Sequence, residues 1–278
     1  MMTLSEIRSF VDRQCELWPE CRRNIEALSG LRTRELTASD GSRRFLLMHN
    51  PVRIASSSAK VAKQDGSVSR PCFLCRENRP KAQLFIEHEG YEILVNPYPV
   101  FPLHLTIASI SHQPQRISSN VGQMVHFAEL LEGLTVFYNG PFCGASAPDH
   151  HHFQAALFDL PDHIHGSMDI IENDAVRLAA TTEGILKKLP AELPEPKVNL
   201  LCRRLDNGRY RMVIVPRRKH RPDCYGDILV SPASVEVAGY IVTPREADFN
   251  SLDYALTANI MDEVTYSDNE IKSICNHQ

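Results

Sequence analysis

The segment Gly144-Ala-Ser-Ala-Pro-Asp-His150-His151-His152-Phe153-Gln154 restricts the fold more than any other part of the chain. The residues around and after it, Phe153-Gln-Ala-Ala-Leu-Phe158, read as a β-strand. Side chains alternate faces along a strand, so His150, His152 and Gln154 fall on one face. Burying two imidazoles and a carboxamide together is costly unless they have partners or a task. Just ahead, Gly144, Ala145 and Ser146 are small enough for backbone N–H groups to approach an anion closely. An imidazole beside an anion cradle points to nucleophilic attack on phosphorus. Read alone, three consecutive histidines also fit a solvated loop or an adventitious metal binder, so the rest of the chain has to decide.

The order G-x-S-x-P followed by H-x-H-x-Q resembles the active-site segment of the galactose-1-phosphate uridylyltransferase branch of the histidine-triad superfamily. That branch also holds diadenosine tetraphosphate phosphorylase and the GDP-hexose phosphorylases. The resemblance implies that His152 is the nucleophile and becomes nucleotidylated. It also implies that Gln154 stands where the hydrolase branch has a third histidine, and that Ser146 belongs to the catalytic loop. One departure is Asp149, inserted between Pro148 and His150, where the uridylyltransferase pattern runs directly from Pro to His.

Cys72-Phe-Leu-Cys75 supplies half of a tetrahedral zinc site. A thioredoxin-like redox pair fits poorly, because no helical apolar pattern follows Cys75 directly. There is no second Cys-x-x-Cys, so histidines are the natural completing ligands, with His104 and His150 the leading candidates and His112 a rival to His104. In the resembling zinc-containing uridylyltransferases, ligand order matches Cys72, Cys75, His104 and His150, which implies a closed structural Cys2His2 site anchoring the catalytic strand.

Three further segments carry candidate substrate contacts. Tyr91-Glu-Ile-Leu-Val-Asn96-Pro-Tyr-Pro-Val-Phe-Pro-Leu-His104 resembles the family's strand, Asn/Pro turn and second strand, which makes Asn96 a candidate ribose or base contact. An Asn before Pro97 is equally well read as a turn cap. Pro216-Arg217-Arg218-Lys219-His220-Arg221 clusters cations, and Arg217 and Lys219 are candidates to clamp phosphate; a solvated charged loop is the competing reading. Glu236, in Val235-Glu-Val-Ala-Gly239, resembles an E-x-x-G segment of GDP-hexose phosphorylases, although an ordinary strand acid explains it as well.

The 278 residues suffice for one large or two medium domains. A net charge of −4 argues against a general nucleic-acid binder, which would carry a broad basic surface. No run of 18 apolar residues predicts a membrane span, and charged residues interrupt the N-terminal apolar stretch. The eight cysteines lack a dense framework, so the thiols are expected reduced and the compartment cytoplasmic.

Periodicity and turn signals predict a helix over 3–29, capped by Thr3 and Glu6, and a hairpin over 33–58 about Asp40-Gly41. They predict a polar loop over 59–70, then strands at 83–88, 91–96 and 103–109. A helix follows from Ser118 to Phe137, then the catalytic strand, a helix over 169–188 and a Pro-rich linker over 189–196. Val198–Arg204 and Arg209–Val215 form a hairpin about Asp206-Asn-Gly208, Ser234–Val242 is a strand, and the remainder is mostly helical. Antiparallel hairpins with interposed helices indicate an α+β fold. The resemblance implies two histidine-triad-like halves, antiparallel sheets with flanking helices: 1–162 catalytic, with the zinc site, and 163–278 a degenerate second half.

The expected chemistry is ping-pong nucleotidyl transfer on a nucleotide sugar such as GDP- or UDP-hexose, or on a dinucleotide. Phosphate or a sugar phosphate would be the acceptor. A dinucleoside polyphosphate phosphorylase, a nucleotide hydrolase and a non-enzymatic zinc-bearing nucleotide binder are the alternatives. Dimers are common in the resembling families, so a homodimer is an expected state.

Overall fold

The computed structural model describes residues 1–54, 70–191 and 195–276. The loop expected over 59–70 and the centre of the linker expected over 189–196 fall largely or partly outside those residues.

The chain opens with a helix at Leu4–Leu17 (α1), fixed by the anticipated capping box: Glu6 N–H donates to Thr3 Oγ1, and Thr3 N–H donates to Glu6 Oε2. The single helix expected over 3–29 breaks at Trp18, which is extended, and restarts at Pro19–Glu26 (α2) with proline at its first position. The hairpin follows as β1 (Arg32–Thr37) and β2 (Arg44–His49).

Next come β3 (Phe85–His88), β4 (Tyr91–Val95) and β5 (Leu105–Ser109), close to their expected bounds. The helix expected from Ser118 to Phe137 is shorter. It is α3, Val121–Leu130, and Thr135–Asn139 is a strand, β6. Thr135-Val-Phe-Tyr is β-branched and aromatic, and it pairs with strands on both sides. The strand expected after the histidine run is β7, His152–Ala156.

The helix expected over 169–188 is likewise split into β8 (Met168–Glu172) and α4 (Ala175–Leu186), with Asp174 capping the N–H of Arg177. The second hairpin, β9 (Val198–Arg204) and β10 (Tyr210–Pro216), stands as expected. The strand expected over Ser234–Val242 is instead a one-turn helix α5 (Ser234–Val237) and a strand β11 (Tyr240–Thr243). Three helices end the chain: α6 (Glu246–Ser251), α7 (Tyr254–Val264) and α8 (Asp268–Asn276).

The fold is α+β. Eight strands form one antiparallel sheet in the order β3-β4-β5-β7-β6-β9-β10-β8. A smaller sheet has the order β1-β2-β11, with β11 parallel to β2. Each of the stretches 1–162 and 163–278 contributes strands to both sheets.

Strand alternation gives the large sheet two unlike faces. Ile93, Leu105, Ile107, Phe153, Ala155, Val136, Leu200 and Met212 point to one side. There they pack with Ile7, Phe10, Val121, Met124 and Leu178 of the covering helices. The opposite side carries Glu92, Thr106, Ala108, His152, Gln154, Phe137, Leu201 and Val213, as the register dictates. Part of it is roofed by the small sheet, through Met48 and Val242. The outer face of that small sheet, Leu47 and Ile241, packs on Phe249, Leu252, Ile260 and Met261 of the C-terminal helices.

Candidate active site and metal-ligand cluster

The three consecutive histidines go three different ways. His151 enters the apolar core among Tyr91, Tyr138 and Phe153, fully buried, with neither ring nitrogen hydrogen-bonded. Burial, then the neighbouring imidazoles, pushes it down to about 3, so it is neutral there. His150 turns towards the cysteines, and His152 opens the polar face of β7.

His150 places Nδ1 3.2 Å from Cys72 Sγ and 3.6 Å from Cys75 Sγ. Its Nε2 lies 2.7 Å from the carbonyl oxygen of Ser109. A carbonyl can only accept, so Nε2 carries the proton and Nδ1 presents a lone pair to the thiols. His112 completes the group, with Nδ1 3.2 Å from Cys75 Sγ and its ring at 86° to that of His150. The four donor atoms of Cys72, Cys75, His112 and His150 all lie within 4.8 Å of one another.

His104, the leading third ligand by order, is not in this cluster. It precedes β5, whereas His112 follows the strand's far end, and five residues of strand span roughly 16 Å. Antiparallel pairing sets His152 opposite Ala108 near that far end, so the cysteines meet His150 and His112 there. The loop bearing them is anchored by the buried carboxylate of Glu92 on β4, which Arg76 and Arg79 both engage.

His152 is 2% exposed. Its Nδ1 lies 2.8 Å from the carbonyl of His150, so Nδ1 donates and Nε2 holds the lone pair. Nε2 has no hydrogen-bond partner among the described residues. Burial, above all, pushes the imidazole down to about 4, so it is neutral at neutral pH. Gln115 clamps the backbone here: Oε1 accepts from His152 N–H at 2.8 Å, and Nε2 donates to the carbonyls of His152 and Asn139.

Gln154, two residues on, has its Oε1 2.9 Å from His104 Nε2. The Val100 amide donates to His104 Nδ1 at 3.1 Å, so the proton of neutral His104 is on Nε2, and it donates to Gln154. The carboxamide oxygen is thereby fixed, which leaves its NH2 group as the donor for any ligand. Burial first, then the charge of Arg53, pushes His104 down to about 3.

The small-residue loop has a packing role as well. Gly144 has φ +93°, and a Cβ there would lie 2.5 Å from Ala233 Cβ. Ala145 N–H donates to the Gly140 carbonyl at 3.4 Å, and exposed Ser146 accepts from Arg70 through its own carbonyl. Asn96 is a turn cap: its Oδ1 accepts from Tyr98 N–H, and its Nδ2 donates to Thr106 Oγ1.

Arg217 is not placed as a phosphate clamp. It is buried, and its five N–H donors go to Asn199 Oδ1 and to the carbonyls of Val264, Pro232, Lys219 and His220. Lys219 is paired with Asp223 and Glu263. Glu236 accepts from Ala233 N–H at the start of α5, and burial raises its pKa.

Sequence reasoning missed Gln115, the bond from His104 to Gln154, and a buried network in which Asn199 and Ser234 converge on Asn139 Oδ1. Each of these joins residues far apart in the sequence, so no local motif marks them.

Solved structures share this fold. The yeast Ap4A phosphorylase Apa2 matches with a TM-score of 0.60 and 14% identity, over 90% of this chain and 97% of that one. Apa2 in complex with AMP matches with TM-score 0.60 and 16% identity, over 89% and 97%. Apa2 in complex with Ap4A matches with TM-score 0.62 and 15% identity, over 90% and 97%. No curated protein matches the sequence. Residues 10–157, more than half of the chain, match the family described as a domain of unknown function (DUF4922), and the chain belongs to that family.

Proposed function

We propose that this protein is a nucleotidyl-transferring phosphorylase acting through a covalent nucleotidyl-histidine, with a dinucleoside polyphosphate as substrate and inorganic phosphate as acceptor. The observation that carries the chemistry is His152: a buried, neutral imidazole whose Nδ1 is committed to a carbonyl and whose Nε2 lone pair is unused. The choice of substrate draws support from the shared fold with a phosphorylase solved with Ap4A and with AMP.

In the proposed cycle, Nε2 of His152 attacks a nucleotide phosphorus. An N–P bond forms, and the P–O bond to the remaining polyphosphate breaks. Phosphate oxygen then attacks the same phosphorus, the N–P bond breaks, and neutral His152 returns. The NH2 group of Gln154 donates to the phosphoryl oxygens as charge builds. A carboxamide cannot shuttle a proton to activate water, so transfer is favoured over hydrolysis.

Cys72, Cys75, His112 and His150 suit a structural Zn²⁺. Donors of a tetrahedral Cys–His pair stand roughly 3.5 Å apart, and the sulfur–nitrogen distances here are 3.2–3.6 Å. Such an ion would hold the loop of Cys72 against the start of β7 and take no part in the transfer steps.

The test is phosphorolysis followed by mass spectrometry, with diadenosine tetraphosphate and a panel of GDP-, UDP- and ADP-sugars. The expected result is ADP release from the dinucleotide that requires phosphate and falls by several orders of magnitude in His152→Ala. Turnover of a nucleotide sugar instead would keep the mechanism and replace the substrate. No turnover and no adduct on His152 with any of these would overturn both.

A further inference from the structure

A second group of side chains able to ligate a metal shares no residue with the cysteine cluster and lies where the β3–β4 hairpin meets α3. His88 ends β3, Glu89 is the first residue of the turn, and His126 lies on α3. The Nε2 atoms of His88 and His126 are 2.8 Å apart, their rings are nearly parallel at 7°, and Glu89 Oε2 is 3.6 Å from His126 Nε2. All three donors lie within 4.8 Å of one another; Glu89 is exposed and the two histidines are half-buried.

We propose that His88, Glu89 and His126 form a divalent transition-metal site, of the Zn²⁺ class, that fastens the β3–β4 hairpin to α3. Two imidazoles and a carboxylate are a borderline donor set, which suits Zn²⁺ over Ca²⁺ or Mg²⁺. At 2.8 Å only one proton fits between the two nitrogens, so at least one lone pair already faces the gap. Moving the other proton to Nδ1, a tautomer shift with no change of charge, exposes both. Zinc–nitrogen bonds of about 2.0–2.1 Å put two tetrahedral donors roughly 3.3 Å apart. The nitrogens therefore need part by about 0.5 Å, and the rings, now end to end with centroids 5.1 Å apart, must tilt so that both lone pairs converge on one ion. Water would fill the remaining position, because the cluster is at the surface.

The turn supplies an independent observation. His88 pairs with Tyr91, so Glu89-Gly90 is a two-residue hairpin turn with both φ values positive, at 44° and 83°. Asn, Asp or Gly is the favoured residue at the first position, and a longer side chain there is disfavoured. Glu in this place has the added reach to bring its carboxylate to His126.

Isothermal titration of the full chain with Zn²⁺ tests the assignment, on wild type, His88→Ala, His126→Ala and Glu89→Gln, with His112→Ala as a control for the cysteine cluster. The site requires an equivalent that disappears in both histidine variants, weakens at least tenfold in Glu89→Gln and survives in His112→Ala. Imidazole nitrogen NMR on the wild type gives a readout that needs no variant: the Nε2 signals of His88 and His126 should move together on adding Zn²⁺. Identical isotherms for wild type and both histidine variants, or static Nε2 signals at millimolar Zn²⁺, would reduce the pair to a hydrogen bond and overturn the proposal.

Discussion

At the scale of single residues, hydrogen bonds in the candidate site fix which nitrogen of each histidine is free. His150 and His152 have opposite tautomers because each gives its proton to a different carbonyl, Ser109 for one and His150 itself for the other. His104 extends this to a carboxamide by holding Gln154 Oε1. Two substitutions separate the two ends of that ring. His104→Gln can place an amide donor near the former Nε2 and still orient Gln154, whereas His104→Asn reaches only the Nδ1 side and the Val100 amide. We expect His104→Gln to keep more of the phosphorolysis rate, and His104→Asn to lose up to about 10²-fold in kcat, the scale of one misplaced transition-state donor. Both should lose about 1–3 kcal/mol of stability from a buried polar group left unpaired. Equal rates in the two variants would mean that Gln154 is oriented by something else.

At the scale of elements, the loop from Gly140 to Ala147, which leads towards β7, packs closely on the start of α5. Gly144 is required twice over, by its φ of +93° and by the 2.5 Å approach of Ala233 Cβ. Gly144→Ala should therefore cost about 1–2 kcal/mol for the left-handed backbone and about 1–3 kcal/mol for overpacking. Ala233→Gly should return the second part but not the first, a coupling that a double-mutant cycle from chemical unfolding reads directly. The sequence showed that this loop needs small residues but attributed them to an anion, because nothing local reveals that residue 233 lies against residue 144. Hairpins were legible for the opposite reason: Asp206-Asn-Gly208 and Asp40-Gly41 carry their own turn chemistry. Where an apolar stretch ran from helix into strand, as in 121–139, periodicity did not separate them, and tertiary pairing of Thr135–Asn139 decided. Likewise, motif spacing was enough to group Cys72 and Cys75 with His150 and to set His152 and Gln154 on one face of β7. It ranked His104 above His112 because order carries no information on which end of β5 the cysteines approach.

At the scale of the molecule, one antiparallel sheet carries an apolar face and a polar one, and stability has to accommodate imidazoles buried on or near the polar side. His104 is pushed down to about 3 and His220 to about 4, both chiefly by burial and then by arginine charge: Arg53 for the first, Arg221 and Arg217 for the second. An unfolded histidine titrates near 6.5. Above that pH both states hold these rings neutral, and they add no pH dependence. Below it the unfolded chain binds protons that the fold refuses, so stability falls with acidification until the folded pKa is reached. Glu195 and Glu236, raised by burial, act in the opposite sense as pH climbs above the ordinary carboxylate range. The histidine contribution is therefore isolated by difference. His220→Gln compared with wild type, by urea unfolding between pH 6.5 and 4.5, should flatten the acid slope by up to about 1.4 kcal/mol per pH unit. The two stabilities should differ by a constant amount above pH 7 and diverge only below 6.5. Parallel curves throughout that range would show that His220 takes up its proton in the folded state as easily as in water, and that burial at the Arg217 network does not govern it.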